Sequence, residues 1–463
     1  MSTRPLPLLP STPGPIAAAG IAAAILVGTL TAHSPQLGMG LLIAIAYVPL
    51  VLLNLPLGIV LWVVLTFMQG LSVVSVAPNA TAILIGLAWL GTAGSRREWA
   101  AAVMQRHRKL LGAMALFFGW ITLSALWARN PSWVWLEFWQ WPVAIAIFVV
   151  LTGSFASRRW TIYLVGAFVI GSTLSVLVGL IGSGLNPAGS ALASAAVDGG
   201  RLQGAGGDPN YLAAGCVPAI ALAAGLIGVT RSSLVKWGLT AVMAVLVAGL
   251  GASESRGGFV AGIVAIGCAI VVNKRQRAKV VAIVAVLGSL VAIYFAAFPS
   301  TLDRVSSIDG GGNGRSDLWH FAWRMTEDHP VIGVGLNNFP LVAKDYIHEP
   351  GEREFTYLIT ETPHVTHNVY LQLLAETGVI GISLFVLILI GCLRAALAAG
   401  RRFDQLGETA MAGLSRAVFV GMVGMLSASF FISNANDRRL WILLALGPIM
   451  LALSQRPARA AEA

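Results

Sequence analysis

The stretch VYLQLLAETGVIGISLFVLILIG, residues 369–391, decides the fold. A spanning helix needs about 20 mostly apolar residues, and this run supplies them with one carboxylate, Glu376, near its start. Directly before it stand His367 and Asn368, the end of the only extended polar segment, residues 299–370. An imidazole is therefore predicted at a boundary between water and lipid. A substrate with an apolar tail and a polar head presents its reactive atoms at that level.

Working outward, the same character fills the chain. It is 57% apolar and 11% charged, with a mean hydropathy of +0.79, whereas a soluble domain carries about 25% charge. The composition predicts an all-α polytopic integral membrane protein with about 12, and between 12 and 14, transmembrane helices. Apolar runs fall near 14–32, 38–53, 56–75, 80–93, 110–128, 142–156, 160–183, 211–229, 236–253, 257–272, 280–298, 371–394, 408–432 and 439–454. Around Asn54-Leu55-Pro56, one broken hairpin and two separate spans are both open. Four sections follow: a transmembrane bundle 1–183, transmembrane helices with arginine-bearing loops 184–298, the long polar loop 299–370, and C-terminal helices with a tail 371–463.

Lys and Arg in short loops stay on the cytoplasmic side. Clusters at Arg96 to Lys109, Arg158 and Arg159, Arg231 and Lys236, Lys274 to Lys279, and Arg394 to Arg402 alternate along the chain. The loops between them, including 184–210, 253–257 and 299–370, are predicted to face outward, and the last holds ten carboxylates against five basic residues. The net charge of +10 is scattered over the inward loops and lacks a basic, aromatic-rich groove, so no nucleic-acid partner is expected. Cys216, Cys268 and Cys392 all lie in apolar runs and read as packing residues. The N-terminal segment is a poor signal peptide and reads as leading into an uncleaved first span. Trp133, Trp135, Trp139 and Trp141 are read as an interfacial aromatic belt in a short outward loop.

Arginine is unexpected on the outward side. Arg201 in DGGRLQGAGGDPNY, Arg256 in SESRGG and Arg315 in GGGNGRSDLW all sit among glycines. Missing side chains let a phosphate approach the backbone while a planar guanidinium binds it in two places. Asp208-Pro209 is a helix start signal, with Asp as the cap and Pro at the first helical position. The competing reading has Asp208 orient a substrate hydroxyl or an arginine. Glu254 is expected to pair locally with Arg256.

Within the long loop, SDLWHFAWRMTEDHP reads as an amphipathic helix with Trp319, Ala322, Trp323 and Thr326 on one stripe, ending at Pro330. Such a helix lies flat on the membrane or covers a vestibule. Gly333-Val334-Gly335 reads as a turn without nucleotide-binding meaning. Five of seven histidines are in this loop, and His364 and His367 have no cysteine partners or HExxH pattern, so no metal is expected. His367 is the candidate general base, because imidazole has an ordinary pKa near 6.5.

These pieces together resemble the O-antigen ligase and polymerase family of bacterial envelope enzymes. RLQGAGGDPNY, ESRGG, GRSDLWHFAWRMTEDHPVIGVGLNNF and HNVYLQLLAETGVIG carry the likeness, across about residues 201 to 385. The resemblance implies a GT-C-like architecture in the bacterial inner membrane, with the long loop and the active site in the periplasm. It implies transfer of a glycan from undecaprenyl pyrophosphate to lipid A-core by a ligase, to another carrier-linked glycan by a polymerase, or to a protein hydroxyl.

Pyrophosphate is a competent leaving group, so such chemistry needs its charge neutralised and the acceptor hydroxyl deprotonated. Arg201, Arg256 and Arg315 are expected to clamp the pyrophosphate, His367 to act as base, and Asp208, Asn210 and Asn368 to support them. No cofactor is expected, and inversion at the anomeric centre follows from direct displacement. Glu376, on the far side of its helix from His367, is assigned to packing or polar pairing. A transporter or flippase is the non-enzyme alternative. It calls for a closed two-sided cavity near the midplane, whereas the enzyme calls for Arg201, Arg256, Arg315 and His367 to converge on one outward vestibule with a lateral opening to lipid.

Overall fold

The structure is a computed structural model of the chain, describing residues 24–71 apart from 27, 77–91, 101–155 apart from 103, 157–184, 197–198, 201–273, 277–297, 315–347 and 364–455. In order, the helices are α1 (Pro35–Leu53), α2 (Leu55–Leu65), α3 (Ala77–Gly91), α4 (Arg108–Leu123), α5 (Pro131–Phe138), α6 (Gln140–Ser154), α7 (Arg158–Gly184), α8 (Pro209–Val229), α9 (Ser233–Ala252), α10 (Arg256–Val272), α11 (Arg277–Ala297), α12 (Arg315–Asp328), α13 (Phe339–Val342), α14 (Val369–Gln405), α15 (Thr409–Ala428) and α16 (Arg438–Leu453). Among the described residues the only sheet is a two-residue ribbon in which Asp198 pairs with Arg201.

Each predicted span from 38–53 onward coincides with a helix, while most of 14–32 lies outside the described residues. Among the described residues seven helices are long and apolar enough to cross a membrane: Arg108–Leu126, Pro131–Ser154, Arg158–Gly182, Pro209–Val229, Ser233–Ala252, Val369–Gln405 and Thr409–Ala428. The protein is polytopic. Leu55–Met68, Thr81–Gly91 and Arg256–Val272 are apolar but shorter; the prediction of 12 to 14 spans included runs of this length. At Asn54 the chain forms a hairpin of two helices, with the Asn54 side chain capping α2 and Tyr47 hydroxyl donating to Gly58 carbonyl at 2.7 Å.

The bundle is organised around α8 and α15. Helix α8 packs on α15, α9, α7 and α10, while α14 packs on α16, α15 and α4. Small residues allow the close approach: a Cβ at Gly225 would meet Ala417, and one at Gly258 would meet Ala213, each at 2.5 Å. At the end opposite His367, Arg158 pairs with Glu408 at 2.6 Å and Arg416 with Asp404, and Arg402 donates to Ser454 carbonyl at 3.1 Å. These contacts tie helix ends together.

A second, smaller core sits at the His367 end, where Leu318, Phe321, Ala322 and Met325 of α12 pack on Val334, Phe339, Tyr346 and Ala375. The predicted stripe of Trp319, Ala322, Trp323 and Thr326 is therefore rotated from the buried one, and Trp323 is 52% exposed. The helix turns its apolar face to the protein because the loop after it supplies a partner surface. The tryptophan belt also differs from expectation. Trp133 and Trp135 stand in α5, Trp139 joins α5 to α6, and Trp141 in α6 is fully buried, edge-on to Phe117 at 5.0 Å.

Helix α14 is broken at Gly378, whose φ of 66° and ψ of −173° are open to glycine alone. The freed backbone groups are taken up by the segment after α12. Val334 N donates to Ala375 carbonyl at 3.0 Å, Gly335 N to Glu376 carbonyl at 2.8 Å, and Val379 N to Pro330 carbonyl at 2.9 Å. The Gly333-Val334-Gly335 turn is thus the brace of the break.

Candidate active site

Four helices begin at one end of the bundle, and each start is capped by a side chain. Asp208 Oδ1 accepts from Asn210 N at 2.7 Å and Tyr211 N at 2.9 Å. Ser255 caps α10, Asn368 caps α14 and Asp437 caps α16. Asp208 and Asn368 thus hold cap positions. Helix N-termini carry partial positive charge, and several together favour an anion.

These starts are joined to one another. Asn210 Oδ1 accepts from Ser255 Oγ at 2.9 Å and from Arg201 Nη2 at 3.1 Å, while Arg201 Nε donates to Ser253 carbonyl at 3.0 Å. The guanidinium of Arg201 is held by the starting turn of α8 and by the turn that joins the end of α9 to α10. Arg256 is the exposed first residue of α10, and Arg315 is the partly buried first residue of α12. Burial depresses the Arg315 pKa first, then the charge of Arg201; Asp208 opposes this, and Arg256 adds to it. The charges of Arg201 and Arg256 thus both bear on Arg315, with Asp208 opposing them. An anion would relieve that repulsion.

His367 joins the same group. Its backbone takes a φ of 50°, uncommon for a residue with a Cβ. The turn is held on both sides, by Trp319 Nε1 donating to Thr366 carbonyl at 2.9 Å and by Val369 N donating to Ser429 carbonyl at 3.0 Å. Burial pushes the imidazole down to about 4, followed by the Arg315 charge, against the pull of Asp208 and with a small addition from His364. The ring is neutral at pH 7 and able to accept a proton. Glu376 is fully buried, within 3.5 Å of Gln372 Nε2.

Sequence reasoning missed Arg439. Its guanidinium pairs with Asp437, with Nη2 to Oδ2 at 2.5 Å, and lies over the rings of Tyr211 at 5.3 Å and Phe67 at 5.9 Å. Tyr211 hydroxyl in turn donates to Ser433 carbonyl at 2.6 Å. This clip fixes α8 beside the residue that holds Arg201. Arginine on the side predicted to face outward was the available signal, and it applies equally to residues 438 and 439.

Arg201, Arg256, Arg315 and His367 all lie at this one end of the bundle. Among the described residues no group of three or more His, Cys, Asp or Glu side chains is placed to hold a metal ion.

No curated protein matches the chain. A family model described as O-antigen ligase matches residues 239–386, about a third of the chain, and the match contains Arg256, Arg315 and His367. Over those residues this polytopic membrane protein is similar to the O-antigen ligase family.

Proposed function

We propose that the protein is an O-antigen ligase of the bacterial inner membrane, with its active site facing the periplasm. It transfers polysaccharide from undecaprenyl pyrophosphate to a hydroxyl of lipid A-core. The observation that carries this reading is the grouping of Arg201, Arg256 and Arg315 with a neutral, strained His367 at four capped helix starts.

In this reading the arginines bind the two phosphates and the imidazole accepts the proton of the acceptor hydroxyl. The hydroxyl oxygen bonds to the anomeric carbon from the face opposite the carrier. The bond from that carbon to the phosphate oxygen breaks, and undecaprenyl pyrophosphate leaves with the electron pair. The configuration inverts. Guanidinium groups stabilise the leaving charge without a divalent ion. An apolar cleft of about 360 Å³ between α2, α3 and α6, lined by Trp62, Ile85, Trp139, Ile147 and Leu151, offers the polyprenyl chain a berth. Lipid A-core as acceptor rests on the family description and on the exposed Trp323 at the edge of the α12 lobe.

Purified protein supplied with carrier-linked glycan and lipid A-core should form the lipid A-core conjugate. A null strain should keep long glycan on the carrier. Single repeat units joined to lipid A-core in that strain would make the enzyme a polymerase and overturn the ligase reading.

A further inference from the structure

The exposed stripe of α14 below its break runs through Val379, Ser383, Leu387, Ile390 and Arg394, at helical spacing. This is the lipid-facing side of a membrane span, and Arg394 is its first cation. Fifteen residues separate Val379 from Arg394, about 22 Å of helix at 1.5 Å per residue. The hydrocarbon of a bilayer is about 30 Å thick. With Arg394 snorkelling to the inner boundary, Val379 stands at the outer edge of the hydrocarbon or inside it.

Val379 is bonded through its amide to Pro330 carbonyl at 2.9 Å, which fixes the next two residues at the same level. Val331 is 53% exposed, Ile332 38% and Val379 50%. On the other side of this segment, Val334 and Phe339 are buried in the small core with α12. The segment is therefore apolar on both sides, one covered by protein and one facing outward at bilayer depth. Lipid-exposed irregular backbone is not found inside the hydrocarbon, which places this segment at the outer edge of that layer, where headgroups and water reach its free amides. The bonds across the Gly378 break pair Pro330 carbonyl and the amides of Val334 and Gly335.

We propose that residues 330–335 form a lipid-inserted loop, which docks the lobe of residues 315–347 onto the acyl chains of the leaflet on the His367 side through Val331 and Ile332. The loop sets the height of Arg315, which opens the same lobe. The inference does not depend on the reaction catalysed.

Spin labels test it on the full chain in phosphatidylethanolamine and phosphatidylglycerol nanodiscs. Cys216 and Cys392 are fully buried, so Cys268→Ala suffices as background. Labels are introduced one at a time by Val331→Cys, Ile332→Cys, Leu387→Cys, Arg324→Cys and Glu327→Cys. Positions 331 and 332 should follow 387, with collisions with oxygen favoured several-fold over a water-soluble nickel chelate. Positions 324 and 327, on the exposed polar face of α12, should show the reverse. Nickel access at 331 and 332 equal to that at 324 would place the loop in water and overturn the proposal. Exclusion of both reagents would mean that protein covers the loop, and would overturn it equally.

Discussion

Trp319 donates its indole N–H to the carbonyl of Thr366 at 2.9 Å, so the lobe that begins at Arg315 holds the turn that presents His367. One such bond contributes about 0.5–1.5 kcal/mol. Trp319→Phe keeps a ring beside Phe431, 6.5 Å away, and should slow transfer about 2- to 10-fold with insertion unchanged. In vitro transfer by equal amounts of folded protein measures this, and an unaltered rate would remove Trp319 from the positioning of His367.

His367→Asn separates chemistry from folding. Asn tolerates positive φ, whereas Ala at the observed 50° carries a strain of about 1–2 kcal/mol. The Asn variant should therefore melt like the native protein while transfer falls by about 10²- to 10⁴-fold. Transfer above a tenth of the native rate would end the assignment of His367 as base.

The pH profile carries a sign that follows from the site. Burial and Arg315 hold His367 down to about 4 in the free protein, so the acid limb of kcat/KM should lie well below the usual 6.5 of imidazole. Donor phosphates would neutralise the arginines and let the imidazole pKa rise, so the acid limb of kcat should lie higher. Coincident limbs at 6.5 would contradict this. The same shift bears on folding: the unfolded chain binds the extra proton between about 6.5 and about 4. The contribution of His367 to stability is therefore complete above that window and lost as pH falls through it.

Arg201 reaches Asn210 and Ser253 with separate nitrogens, and a lysine ammonium cannot reproduce that fork. Arg201→Lys should raise the donor KM about 10-fold or more, equivalent to about 1.4 kcal/mol, with a smaller effect on kcat. Asn210→Ala removes an acceptor of the same guanidinium and should be non-additive with Arg201→Lys. Additive effects in the double variant would show that Asn210 does not act through Arg201.

Gly378→Ala should be severe. A Cβ there would collide with the Val331 carbonyl, and the residue holds a φ of 66°. The cost is expected at about 1–3 kcal/mol, read as a lower melting temperature in detergent. Gly112→Ala, inside α4 with nothing within 4 Å of the new atom, is the control and should not lower the melting temperature, since Ala is the better helix former. Equal melting of both variants would mean that the break in α14 is not obligatory.

The sequence alone determined the helices from 38–53 onward, because apolar length and composition are local properties. It also determined the starts at Asp208-Pro209 and at Asn368, since a capping side chain acts on amides only two or three residues away. Arginines among glycines in loops predicted to face outward were legible by their departure from charge asymmetry. Three features were decided by tertiary structure. In α12, two stripes share one helical period, and only the surface made by Val334, Phe339, Tyr346 and Ala375 selects the buried one. The break at Gly378 lies within an apolar run that reads as continuous helix, and it persists because a segment some forty residues earlier supplies the missing hydrogen bonds. Arg439 gains its place from Phe67 and Tyr211. Those residues are distant in sequence, and only the folded bundle brings their rings against one guanidinium.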